Sequence, residues 1–115
     1  MTTKIPDFDV NELAIIRSSL KNRYGQEIDI QLADSEVQLE PNSAEIMLYP
    51  TVFWHVAPVS FVILKLASAH YRCLFLYGDD QQYGTGVEDY YDIATCVTQL
   101  LQAQADHEVQ NQLSS

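Results

Sequence analysis

A chain of 115 residues has the size of one domain, and with 47% apolar and 19% charged residues it holds enough hydrophobic surface for a single core. A net charge of −10, with no Lys or Arg beyond Arg72, argues against a nucleic-acid binder, because such proteins gain affinity by replacing phosphate counterions with basic side chains. The longest apolar run, Val59 to Leu76, is broken by Lys65, His70 and Arg72, so no membrane span is expected.

The opening MTTKIPDFDV lacks the apolar core of a signal peptide and carries acids that a transit peptide avoids, so a cytoplasmic location is expected. Cys73 and Cys96 fall inside apolar periodic segments. That placement suits reduced, buried thiols better than a disulfide framework.

In chain order, residues 1–8 read as an arm. Asp9 and Glu12 then form an acidic capping box, and Val10, Leu13, Ile16, Leu20 and Tyr24 recur at helical spacing until Gly25 closes the helix. Arg17, Lys21 and Arg23 fall toward its C-terminal end, where cations suit the helix dipole. From Glu27 the period becomes two. Ile28, Ile30 and Leu32 predict one strand and Val37 and Leu39 a second, paired as a hairpin about a turn at Asp34 and Ser35.

Pro41, Asn42 and Ser43 predict the next turn, and Ile46 and Leu48 begin a third strand that Pro50 ends or places at a sheet edge. Thr51 to Ala57 reads as extended. Val59 to Leu66 and Tyr71 to Tyr77 then form a central hairpin with its tip at Ala67 to His70. A symmetric tip sets Lys65 opposite Arg72, Ile63 opposite Leu74 and Phe61 opposite Leu76, with Val62, Leu64, Leu66, Tyr71, Cys73 and Phe75 on the other face. Both faces are largely apolar, which calls for a cover on each side. The loop DDQQYGTG follows, and Thr85 with Glu88 reads as a second capping box for a helix reaching about His107, with a polar, frayed tail from Glu108. The expected fold is therefore α+β: one domain, residues 1–115, with an antiparallel β-meander of four to five strands flanked by an N-terminal and a C-terminal amphipathic helix.

Local chemistry is sparse. The Gly84-x-Gly86 loop lacks the third glycine and the Lys-Ser/Thr of phosphate loops, and acids precede it. Asp79 to Tyr90 does not repeat the alternate oxygen ligands of a calcium loop. His55, His70, Cys73, Cys96 and His107 offer no zinc spacing, since His70 and Cys73 on one strand point to opposite faces. No pattern links a nucleophile to a base, so neither catalytic residue, metal site nor cofactor is expected.

Two features point to partners. Lys65 and Arg72, as like charges facing each other, require an internal acid or an anionic ligand. Tyr83, Tyr90, Tyr91 and Asp92 beside Asp79 and Asp80, with at least one of Tyr90 and Tyr91 taken up against the sheet, form an aromatic and acidic patch suited to a protein, and in particular a basic one. The element order in a small acidic chain resembles that of secretion-chaperone-like domains, and the resemblance implies a dimer that binds protein segments. The function expected is a non-enzymatic protein-binding module, chaperone-like, adaptor or regulatory, acting as a homodimer. The alternatives are a small-molecule or anion-binding domain, with or without catalysis, at Lys65 and Arg72, and a mimic of nucleic-acid charge.

Overall fold

A computed structural model of the chain describes residues 5–37, 47–78 and 81–113. The elements run α1 (Val10–Tyr24), β1 (Gln31–Val37), β2 (Met47–Val56), β3 (Val59–Ala67), β4 (His70–Leu76), β5 (Gln82–Tyr83) and α2 (Ile93–Leu113). The five strands form one antiparallel meander in sequence order, with a helix before and after it, which is the expected α+β architecture. Leu39, the turn at Pro41 to Ser43, Ile46, Asp79 and Asp80 lie outside the described residues.

Helix α1 starts on the capping box read from the sequence: Asp9 accepts from the Glu12 backbone at 2.7 Å, and Glu12 accepts from the Asp9 backbone at 2.8 Å. Gly25 closes it in the left-handed region at φ 71°, a conformation that glycine adopts without strain. The buried stripe is Glu12, Ile16 and Leu20, one residue per turn, whereas Val10 is 81% exposed. An acid thus occupies a core position of this helix.

The first hairpin differs from the expected one. Asp34 and Ser35 do not turn; β1 runs straight through them and pairs with β2, Asp34 facing Pro50 and Ser35 facing Tyr49. Polar residues are tolerated here because β1 is an edge strand, and Ser35 is satisfied by the Thr51 hydroxyl at 2.7 Å. Strand β2 continues through Pro50 into the Thr51 to Val56 segment, which is extended as expected. Pairing with β3 begins only at Thr51, so Pro50 has a neighbour on the β1 side alone and its missing N–H costs no ladder bond on the other.

The central hairpin is present, but its register is shifted by one. Lys65 faces Tyr71, Leu64 faces Arg72, Ile63 faces Cys73 and Phe61 faces Phe75, because a bulge between Lys65 and Ala67 takes up Leu66 as an extra residue. Lys65 and Leu66 are consecutive and both buried, as a bulge permits and a regular strand with one wet face does not.

The second helix starts later than Thr85 and Glu88 suggest. Asp92 caps it, accepting from the Thr95 backbone at 2.9 Å, while Thr85 bonds to Val87 and Tyr90 and leaves Val87 52% exposed. The helix also extends past His107 to Leu113, tethered where Glu108 accepts from Tyr77 and Gln104. Ile93, Cys96, Val97, Leu100 and Leu101 of α2 join Ile16 and Leu20 of α1 over Val52, Trp54, Phe61, Ile63 and Phe75. Both helices cover this one face of the sheet.

Candidate functional site

The register decides where every candidate side chain goes. Residues paired across strands share a face, so Lys65 projects with Ile63 and Phe61 toward the helices, while Arg72 projects with Leu64 and Leu74 to the opposite face. The two cations predicted to face each other are not brought together, and each has its own acid.

Lys65 is 4% exposed and lies in a closed polar network. Its Nζ donates to Glu12 Oε1 at 2.6 Å and to the Asp7 carbonyl at 2.9 Å, and sits 5.7 Å from the centre of the Phe8 ring. The Tyr71 hydroxyl donates to Glu12 Oε2. Burial, and then this bond to a carboxylate, push the Tyr71 phenol well above its ordinary range. The network consumes both oxygens of Glu12 and clamps the N-terminal arm to the sheet. The hydrogen-bond partners of Lys65 all come from the chain itself, as in a folding device.

Arg72 forms a second cluster on the hairpin tip. Its Nε donates to Asp89 Oδ1 at 3.0 Å and its Nη2 lies 3.2 Å from Glu88, while His70 Nε2 meets the same Asp89 oxygen at 2.8 Å and stacks on Tyr91 with centroids 5.0 Å apart. These contacts tie the segment after β5 to β4, along with a backbone bridge between Tyr71 and Tyr90. The His70 bond, followed by the Arg72 bond, holds the Asp89 carboxyl below its ordinary pKa of 3.8. A lowered native value means that Asp89 stabilises the fold fully above 3.8 and loses that contribution as the pH falls through its native value. Melting curves of the wild type and Asp89→Asn are therefore expected to differ at about pH 6 and to converge near about pH 2. A difference independent of pH would overturn the ionic role of Asp89.

The remaining partner candidates separate. Tyr83 stacks on Phe75 with centroids 5.5 Å apart and lies 4.2 Å from the His107 ring, so much of it serves internal packing. Tyr91 is 68% exposed beyond its stack with His70. Asp92 is engaged as the cap of α2, and its bonds from Thr95 lower its pKa. Cys73 and Cys96 meet between β4 and α2; the bond between the two thiols, and then burial, push Cys96 up, so it is an inert thiol. Among the described residues no group of three or more His, Cys, Asp or Glu is placed to hold a metal ion. No helix among the described residues is long and apolar enough to cross a membrane.

What the structure does assemble is an apolar row left uncovered among the described residues. Phe53, Val62 and Leu74 lie side by side across β2, β3 and β4 on the face away from the helices, flanked by Leu64 and Leu76. All five are half-buried. Neighbouring register positions on that face hold Gln31, Ala33, Thr51, His55 and Ser60, and Arg72 is the single Lys, Arg, Asp or Glu among these positions. The sequence signalled that a face would be left over, but the shifted register was needed to say which residues form it. Comparison of the chain with family models, with curated proteins and with solved structures gives no match.

Proposed function

We propose that this chain is a non-enzymatic protein-binding module that works as a homodimer, two copies meeting through the Phe53–Val62–Leu74 face. The observation that carries the reading is the near-absence of charge there. A chain with 22 charged side chains, 6 basic and 16 acidic, sets only Arg72 among those positions, and that charge is already matched by Asp89 and Glu88. Depletion of charge around apolar side chains is the compositional mark of an interface core.

A second copy suits this surface because a two-fold contact brings the same apolar patch to itself, with the acids nearest to it, Glu88 and Asp89, paired to Arg72. The acidic surface left exposed in the dimer favours a basic protein as its further partner, through an attraction that salt weakens. Light scattering at micromolar concentration is expected to give twice the 13.1 kDa chain mass, and Phe53→Lys is expected to give the chain mass with an unchanged circular dichroism spectrum. A monomeric wild type, or a Phe53→Lys variant that stays dimeric, would sink the proposal.

A further inference from the structure

The outer edge of β4 is closed at both ends and open in the middle. Tyr71 exchanges backbone hydrogen bonds with Tyr90 at 2.8 and 2.9 Å, and Phe75 pairs with Tyr83 of β5. In an antiparallel strand every second residue turns its N–H and C=O to the same side, so Cys73, midway between Tyr71 and Phe75, also presents both groups to this edge. Among the described residues no strand partner meets them.

The chain opposite bows away for a countable reason. Residues 84–89 lie between Tyr83 and Tyr90, six residues against the three, 72–74, that separate Tyr71 from Phe75. The slack opens a cavity of about 460 Å³. Val62, Leu64, Leu74 and Val87 give it an apolar lining, Arg72 and the exposed Glu88 pair at its rim, and Tyr83 borders it while its ring stacks on Phe75 toward the helices. The side chain of Cys73 is turned to Cys96 and the helices, so this residue contributes its backbone to the wall.

We infer that this cavity is a binding site for a small, neutral, planar heterocycle of the lactam or nucleobase type, held by the paired N–H and C=O of Cys73. A donor and an acceptor on one residue, aimed the same way, match a ring edge that carries an acceptor beside an N–H. The apolar walls then cover the ring faces, the common design of small-molecule sites: apolar lining with a few fixed polar groups. The rim selects against phosphate. Arg72 is already shared between Asp89 and Glu88, so two acids stand against one cation where a phosphate would sit. A free base or lactam is accepted and its nucleotide is rejected.

The site goes beyond the dimer reading but shares Val62, Leu64 and Leu74 with the dimer face, so a second copy seated there would compete with the ligand. Amide hydrogen exchange of the free protein, followed by nuclear magnetic resonance, is expected to show Cys73 exchanging at least about tenfold faster than Tyr71 and Phe75. Titration with 2-pyridone is expected to move the Cys73 amide resonance and slow its exchange. N-methyl-2-pyridone, whose methyl group replaces the donor and blocks that edge, is expected to bind at least about tenfold more weakly. Val87→Trp, on an exposed wall, is expected to fill the cavity and abolish the response without unfolding the protein. Equal protection of Cys73 and its neighbours, equal binding of the two pyridones, or a 2-pyridone response unchanged in Val87→Trp would each overturn the assignment. Running the titration on both the wild type and Phe53→Lys keeps its outcome separate from the oligomeric state.

Discussion

Lys65→Met is expected to lower the free energy of unfolding by about 3–5 kcal/mol, because it strands a buried carboxylate without its cation. Glu12 is 7% exposed, and of its oxygens Oε1 accepts from Lys65 and Oε2 from Tyr71, so no water can replace the missing ammonium without opening the seam between α1 and the sheet. A loss of that size is a large share of the roughly 5–15 kcal/mol that holds a domain of this kind together. Glu12→Gln with Lys65→Met removes both charges, and glutamine at the third helical position still completes the capping box, so the double variant is expected to recover much of the loss. Urea denaturation of the three proteins measures this. A single Lys65→Met variant as stable as the wild type would show that the network contributes nothing.

The same network bears on pH. The Tyr71 phenol titrates well above its ordinary value of 10.0 in the native state, so its contribution is complete below 10.0 and is lost as the pH rises toward the native value. Alkaline unfolding of the wild type is therefore expected to begin above about pH 10, with Tyr71→Phe losing that dependence.

Much of the fold was legible because hydrophobic period and capping chemistry agree with it. The Asp9 and Glu12 box, Gly25, the alternation around the central hairpin and the apolar stripe of α2 each say locally what the tertiary structure repeats. The misread points are those where two local signals compete and a distant contact chooses. Thr85 with Glu88 and Asp92 with Thr95 are both capping patterns, and the backbone pairing of Tyr90 with Tyr71 extends the chain through the first and leaves the second to start the helix. Asp34 and Ser35 spell a turn, but on an edge strand beside Thr51 they serve equally well as solvated strand.

The tip register has the same origin. Nothing between Lys65 and Arg72 marks Leu66 as the extra residue, yet Lys65 must face α1 to reach Glu12, and a bulge is the local means of placing both Lys65 and Leu66 inside. A trace of this was readable. Glu12 stands four and eight residues before Ile16 and Leu20, on the buried stripe, and Lys65 interrupts an apolar strand, so two opposite charges occupied core positions on two elements. The edge of Cys73 left no trace, because it is made of backbone and of a loop three residues too long.

Phe61→Ala is expected to cost about 3–5 kcal/mol, the usual range for removing a fully enclosed aromatic ring. Phe61 has no exposed surface; it stacks on Trp54 with centroids 5.2 Å apart and meets Phe75 at 6.4 Å, so its loss empties the centre of the helix-covered face. Phe53, one strand away on the opposite face, provides the control. Measured at concentrations low enough to keep the chain monomeric, Phe53→Lys is expected to unfold within about 1 kcal/mol of the wild type, since a half-exposed site lets the lysine head reach water. At high concentration the wild type is expected to gain stability by mass action and the variant to gain none. If Phe61→Ala cost less than about 1 kcal/mol, the helix-covered face would not be the core. If Phe53→Lys cost as much as Phe61→Ala in the monomer, the second face would belong to the fold and would not be available to a second copy.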